Sequence, residues 1–538
     1  MNLCEVLLEQ AADRPGSAAI IEPRGDGRSS TVTFAELDTR SARGAALLRQ
    51  YGLTEGARVV VLEPLSIKLY VILLALFRAG LVATLIDPAA GRGHVDSCLD
   101  RARPVGFVGS TKASWLRLVT RRLRRIQPAF CTGGFVPGTK PWGALEDLEP
   151  LRELAPVGPK DPALLTFTSG STGAPKATVR SHGFLLAQHA ALSRAIDLQA
   201  DEVDLATLPV FVLANLASGV TTLLPDCDLR KPGAIDPKPV LAQLRRHSPG
   251  RTGGSPAFYE RLLEGNREDV PDTRAEPSPL TRLTKLFTGG APVFPDLLGR
   301  LQEQIPNGRI IAVYGSTEAE PIAHVEWSEF APEDLERMAT GGGLLAGLPV
   351  PEIELRILPN EAGRPIGPFT TAEFENLALP MAEPGEIVVS GKHVIESYLD
   401  GIGDEETKFS VQDQSWHRTG DAGYLDGGGR IWLLGRASAV LDDEKGTLFP
   451  FSVECAASQF PEIRRSALAA HDGRRILVLE VGRSERDGGT SSVLEGRVRE
   501  SLAWACLDRV VVVPQVPVDR RHNAKIDYVA LRELVEKL

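Results

Sequence analysis

The chain has 538 residues, 43% hydrophobic and 24% charged, with a formal net charge of −10. That length exceeds what one hydrophobic core usually supports, so two or more domains are expected, with the composition of a globular chain. The acidic balance argues against a nucleic-acid binder, which tends to be basic, but it leaves room for a locally positive phosphate site.

The opening stretch MNLCEVLLEQAADRP has acids early and no positive leader, and it reads as an amphipathic helix rather than a secretion signal. The most apolar run, Leu69 to Ile86, is interrupted by Arg78 and Gly80 and closed by Asp87-Pro88. A helix ending at Gly80 and a buried strand after it explain this run better than a membrane span. Short apolar runs at Arg58–Leu62, Leu81–Ile86, Ala163–Thr168 and Ile310–Val313 alternate with helical patterns up to about residue 430. The alternation predicts α/β layers with largely parallel sheets. The basic stretch Arg117–Ile126 reads as a solvated helix face. The functional alternative is contact with lipid head groups or an acidic partner, and insertion would further need a flat apolar face beside the arginines. Gly265–Ser278 and Pro359–Pro384 read as exposed loops. From about Gly385 the strands shorten, which predicts a small all-β appendage. After Gly435 the runs ILVLEVG, VVVVP and YVALRELVEKL predict a separate α+β domain. The six cysteines, at 4, 98, 131, 227, 455 and 506, are too scattered for a disulfide scaffold or a zinc motif. Reduced thiols in a cytoplasmic protein are expected.

The strongest local feature directly follows the strand Ala163–Phe167. It consists of Thr168, Ser169, Gly170, Ser171, Thr172, Gly173, Ala174, Pro175 and Lys176. Two glycines let the backbone turn sharply, successive N–H groups form an anion-binding concavity, and the hydroxyls and Lys176 add donors and charge. A Ser/Gly linker has a similar composition, but this run is short and bounded by strand-like segments. Its spacing is not that of a Walker loop. Tyr314, Gly315, Ser316, Thr317 and Glu318 follow a second strand, at the carboxyl end where ligands of open α/β sheets bind.

With these motifs in order along nearly the whole chain, the sequence resembles the acyl-adenylate-forming superfamily of acyl-CoA synthetases, luciferases and peptide-synthetase adenylation domains. The resemblance implies ATP and Mg²⁺ as cofactors. It implies a large N-terminal domain of α/β subdomains (1–433), a hinge (434–438) with Ser438 at its key position, and a small mobile α+β C-terminal domain (439–538). The residues from Thr168 to Lys176 would hold the phosphates. Gly289, Gly290 and Ala291 would line the adenine pocket, and Tyr314 would pack on the base. Thr317 would contact the α-phosphate and Glu318 the metal. Asp421 would take the ribose hydroxyls, Arg436 the ribose or phosphate, and Lys525 would bridge the reacting oxygens. Phe211 and His182 are candidate acyl-pocket residues, although His182 reads equally well as part of a helix start capped by Ser181.

Three departures narrow the function. Val212 replaces the histidine that many acyl-CoA synthetases carry, leaving an apolar pocket wall suited to an alkyl chain. Ser438 replaces the usual hinge Asp or Lys. Asp442, Asp443 and Glu444 bring negative charge to where a pantetheine tunnel would need a neutral wall. The stretches Val203–Leu205 with Leu208–Asn215, Leu224–Arg230, Gly254–Ala257 and Pro517–Ile526 resemble the β-lactone synthetases of the bacterial long-chain olefin pathway. That resemblance implies a long-chain carboxylic acid substrate, partner enzymes of a lipid pathway, and capture of the adenylate by the substrate's own hydroxyl. The alternatives are a fatty-acyl ligase serving CoA or a carrier protein, and a non-catalytic nucleotide-binding scaffold.

Overall fold

A computed structural model describes residues 1–25, 27–169, 175–268, 278–482, 488–519 and 525–538. The apolar run from Leu69 divides as its glycine suggests. The helix Ile67–Arg78 is capped by Ser66, whose side chain accepts from the Leu69 amide, and it is buried almost throughout. Gly80 then turns the chain at φ 69° into the strand Val82–Leu85. Among the described residues no helix is long and apolar enough to cross a membrane.

That strand belongs to a seven-stranded sheet. From edge to edge it runs Lys140–Pro141, Ala129–Cys131, Gly106–Gly109, Arg58–Leu62, Val82–Leu85, Pro162–Ser169 and Pro175–Ser181. All neighbours are parallel except the last pair, an antiparallel hairpin. A second sheet joins fourteen described strands. Its parallel centre is Val203–Ala206, Arg251–Gly254, Lys285–Gly289 and Arg309–Tyr314, so these strands end together at one rim.

The antiparallel region differs from expectation. Antiparallel pairing begins at Ala323–Glu326, not near Gly385, and the expected β appendage is continuous with the large sheet. Ile431–Arg436 pairs with Leu344–Pro349, which pairs with Ala323–Glu326, which pairs with Arg309–Tyr314. Strand length and turn glycines announce strands but not their partners. Two predicted loops also contain helix. Pro256–Glu268 runs through the start of the first, of which 269–277 lie outside the described residues. Thr371–Leu377 occupies part of the second, held by a Thr370/Glu373 capping box.

The predicted boundary with the tail falls at the end of a strand. Strand Ile431–Arg436 is paired through to Arg436, opposite Asp421, so the first three residues of the predicted hinge are sheet. Ser438 lies exposed in the single turn Ala437–Ala439 that follows. Beyond it the tail builds its own sheet from Ile463–His471, Arg474–Val481 and Arg509–Val513. The tail docks through Phe451 edge-on to Phe294, through Arg464 paired with Glu264 at 3.0 Å, and through Trp504. Trp504 lies so close to Gly341 that a Cβ there would sit 2.6 Å from its ring. All six cysteines are free.

Candidate active site

The rim of the large sheet gathers the predicted nucleotide residues. The Tyr314 hydroxyl donates to Asp421 Oδ2 at 2.9 Å, and Arg436 Nη1 donates to Asp421 Oδ1 at 2.8 Å. Asp421 is aimed by its own strand. Arg418 is buried against Glu386, with Nε to Oε2 at 2.9 Å, and Gly420 turns at φ 69°. Thr419 Oγ1 then donates to Ile387 O at 2.8 Å and accepts the Asp421 amide at 3.1 Å. Burial, reinforced by Asp421, pushes the Tyr314 phenol well above its usual range, so it stays a donor. The Asp421 charge raises the Arg436 guanidinium further. A carboxylate has about four lone-pair sites. With one used on each oxygen, two remain for a pair of hydroxyls.

The turn after Tyr314 is tied in place. Ser316 Oγ accepts from the amides of Glu318 and Ala319, both at 3.2 Å. Arg180 Nη2 holds Thr317 O at 2.8 Å while its Nη1 holds Thr166 Oγ1 at 2.7 Å. Glu318 Oε1 accepts from the Tyr398 hydroxyl at 2.9 Å. Beside this turn the strand Lys285–Gly289 ends in a close approach: a Cβ on Gly289 would lie 2.6 Å from Val313 O. Gly290, with φ 80°, turns the chain away toward Ala291.

The phosphate-loop hairpin pairs in register through Thr168 with Lys176 and Ser169 with Pro175. Gly170, Ser171, Thr172, Gly173 and Ala174 lie outside the described residues. At its root Lys176 reaches Glu406 Oε2 at 3.2 Å, and its ammonium lies 5.7 Å from the Tyr398 ring. Lys408 approaches the same ring at 5.6 Å and donates to Ile395 O. Burial lowers the Lys408 ammonium to about 8, against the pull of Glu318, Asp404 and Glu396. Arg180, Tyr398, Glu406 and Lys408 are therefore site neighbours that motif reading missed. Tyr398 and Lys408 arrive from the antiparallel region, where the bridge Thr178 to Tyr398 brings the two sheets together.

The remaining predicted cation, Lys525, lies in the tail. Lys525 is exposed, and its backbone closes a loop with Asp519: Asp519 N donates to Lys525 O at 2.8 Å, and Lys525 N donates to Asp519 Oδ1 at 3.2 Å. Glu320, two residues past Glu318, is raised by burial and lowered in turn by the charges of Arg180 and Lys525. Tyr528, at the start of the last helix, likewise feels Glu454, Arg436 and Asp421.

Other expectations change. His182 is packed into the core rather than shown at an acyl pocket. It is wholly buried, its Nδ1 accepts from the Leu3 amide at 3.2 Å, and burial lowers the imidazole to about 4. Ser181 caps the helix His182–Ala195 by accepting from the Phe184 amide. Phe211 lies in the buried helix Pro209–Ser218, 3.6 Å from where a Cβ on Gly253 would stand. On the other side of these two helices an apolar crevice of about 50 Å³ is lined by Leu74, Leu185, Leu192, Val210, Leu213 and Leu216. Asp443 does not stand as a bare charge, because Arg475 grips both its oxygens, at 2.8 and 2.6 Å.

Among the described residues no three His, Cys, Asp or Glu side chains cluster to hold a metal. Glu318 instead offers one carboxylate with one oxygen already taken. This fits a magnesium ion, which commonly takes one or two protein carboxylates and completes its shell with phosphate and water.

Comparison with known proteins shows the family and the fold. The AMP-binding enzyme family model matches residues 7–399. An olefin beta-lactone synthetase of Stenotrophomonas maltophilia (strain K279a) is 32% identical, over 98% of this chain and 96% of its own length. One from Xanthomonas campestris pv. campestris is also 32% identical, with the same coverage. A 4-coumarate–CoA ligase of Oryza sativa subsp. japonica is 27% identical over 84% of this chain and 79% of its own. The crystal structure of an anthranilate CoA ligase in complex with anthranoyl-AMP superposes with a TM-score of 0.82 at 17% identity, covering 100% and 98% of the two chains. The chain belongs to the AMP-binding enzyme family and is an ATP-dependent acyl-adenylate-forming enzyme.

Proposed function

We propose that this enzyme adenylates a long-chain 3-hydroxy acid and then closes it to a β-lactone. The observation that carries this reading is the 32% identity, over almost the whole of both chains, to two olefin beta-lactone synthetases. In the first step the substrate carboxylate attacks the α-phosphorus of ATP and diphosphate leaves. Lys525 neutralises the oxygens that gain charge there, and Thr317 contacts the α-phosphate. The loop from Thr168 through Lys176, with Lys408 beside it, holds the outer phosphates. Mg²⁺, held on Glu318, supplies further charge neutralisation when bound. Tyr314 packs on adenine between the Gly289–Ala291 turn and the Asp421–Arg436 pair, and Asp421 takes the ribose hydroxyls on its remaining lone pairs.

In the second step the 3-hydroxyl oxygen attacks the acyl carbon, its proton is lost, and AMP leaves. Holding hydroxyl and carbonyl together replaces a bimolecular capture, which can be worth about 7–11 kcal/mol. Water must be excluded, or the adenylate hydrolyses. The apolar walls supplied by helices His182–Ala195 and Pro209–Ser218 suit that need. The tail from about residue 439 is the moving part, and Ser438 is its joint.

A CoA-forming activity is the second reading. The internal pairing of Asp443 with Arg475 favours it, since that charge no longer bars a thiol tunnel. Incubating the enzyme with ATP, Mg²⁺ and a 3-hydroxy fatty acid, with and without CoA, separates the two by product mass. Lactone formed without CoA is the expected result. Acyl-CoA with no lactone would overturn the proposal.

A further inference from the structure

The arginine-rich segment takes no part in the site above. Between residues 101 and 140 the sequence holds nine Lys or Arg and no Asp or Glu, in a chain of net charge −10. It folds at the edge of the seven-stranded sheet farthest from the phosphate-loop hairpin, as the helices Thr111–Val119 and Arg121–Arg125. Arg117 points inward: its Nη2 donates to the carbonyls of Arg124 and Ile126, both at 3.0 Å, which locks the second helix against the first. Arg122 is spent on Asp96 and Asp100. Arg121, Arg124 and Arg125 are exposed, and none pairs with a carboxylate among the described residues.

The apolar face that such a basic run needs is present. Lys112, Trp115 and Val119, spaced three and four apart, share the outer side of the first helix. Trp115 is 52% exposed and Val119 66%. The adjoining loop carries Phe135 at 85% exposure, anchored where the Gly134 amide donates to Thr111 Oγ1 at 3.1 Å. A solvated face needs charge but not aromatics. Exposed aromatic and aliphatic side chains beside unpaired arginines match the boundary between anionic head groups and acyl chains. We propose that this edge docks on an anionic lipid bilayer surface.

Sedimentation of the full chain with vesicles tests this, using phosphatidylcholine alone or mixed with phosphatidylglycerol. The chain is expected to bind only the mixed vesicles and to be released by added salt. A chain carrying R121E, R124E and R125E should partition at least roughly tenfold less. A second chain, carrying Trp115→Ser and Phe135→Ser, should bind more weakly while keeping its salt dependence. Both should keep the wild-type unfolding midpoint within a few degrees. Equal binding by the charge-reversed chain would overturn the proposal. So would a wild-type chain that ignores anionic vesicles, including one that binds polyglutamate instead, which would give this face to an acidic protein.

Discussion

Two lysines of the proposed site are held in opposite ways. Lys176 belongs to the large domain, is buried, and leans on Glu406 and the Tyr398 ring. Lys525 belongs to the tail, is exposed, and is positioned through the backbone of its loop. A charge built into a cradle serves binding at every stage. A charge carried on a second domain can be spent on one step alone, and only interactions stronger in the transition state speed that step.

The sharpest way to break this contrast is Lys525→Ala. It should slow adenylation, read as pyrophosphate exchange, by on the order of 10²–10³, with ATP binding little changed. An equal loss in both would make the two lysines equivalent.

The two domains should also fail at opposite ends of the pH scale. In the tail, burial pushes the Glu454 carboxyl up to about 8. Between the ordinary carboxylate value and 8 the folded tail keeps a proton that the unfolded chain releases, so stability falls as pH rises through that window. Glu454→Gln, which retains an acceptor for the Leu468 amide, should remove an alkaline loss on the order of 3 kcal/mol in denaturant unfolding at pH 9. In the large domain His182 has the reverse sign. Its imidazole, lowered to about 4, stays neutral while the unfolded chain takes up a proton, so stability falls as pH drops from about 6.5 toward 4. His182→Gln should flatten that acid limb by about 2 kcal/mol. The smallest expected effect comes from Glu406→Gln. Freeing Lys176 from a partly exposed pair should tighten ATP binding by about two- to fivefold, measured by titration.

Much of the site is legible in sequence because its motifs sit at strand ends, where backbone geometry is local. Tyr314 and Arg436 meet Asp421 because the first two end strands, and the third lies within a strand, of one sheet. Tyr398 and Lys408 carry no motif. They reach the phosphate hairpin only through the pairing of two distant segments, which no local pattern encodes. His182 misled for a related reason: a histidine next to a phosphate loop suggests a ligand contact, and only the packing of the N-terminal residues around it shows it to be core. The strand runs at Arg58–Leu62 and near Ile310 are reproduced almost residue for residue. The helix at Thr371–Leu377 is hidden by prolines and acids around it, though its capping box was readable at Thr370 and Glu373.

The pairing of Asp421 with Arg436 has a mechanical consequence. Arg436 is the last residue of the large sheet, and the chain leaves for the tail within the next turn. The proposed grip on a nucleotide's sugar would therefore stand almost on the proposed pivot. In the proposed mechanism, a swing of the tail would carry Lys525 through a wide arc yet leave the sugar nearly still, so one end of the intermediate could be worked on afresh while the other is held.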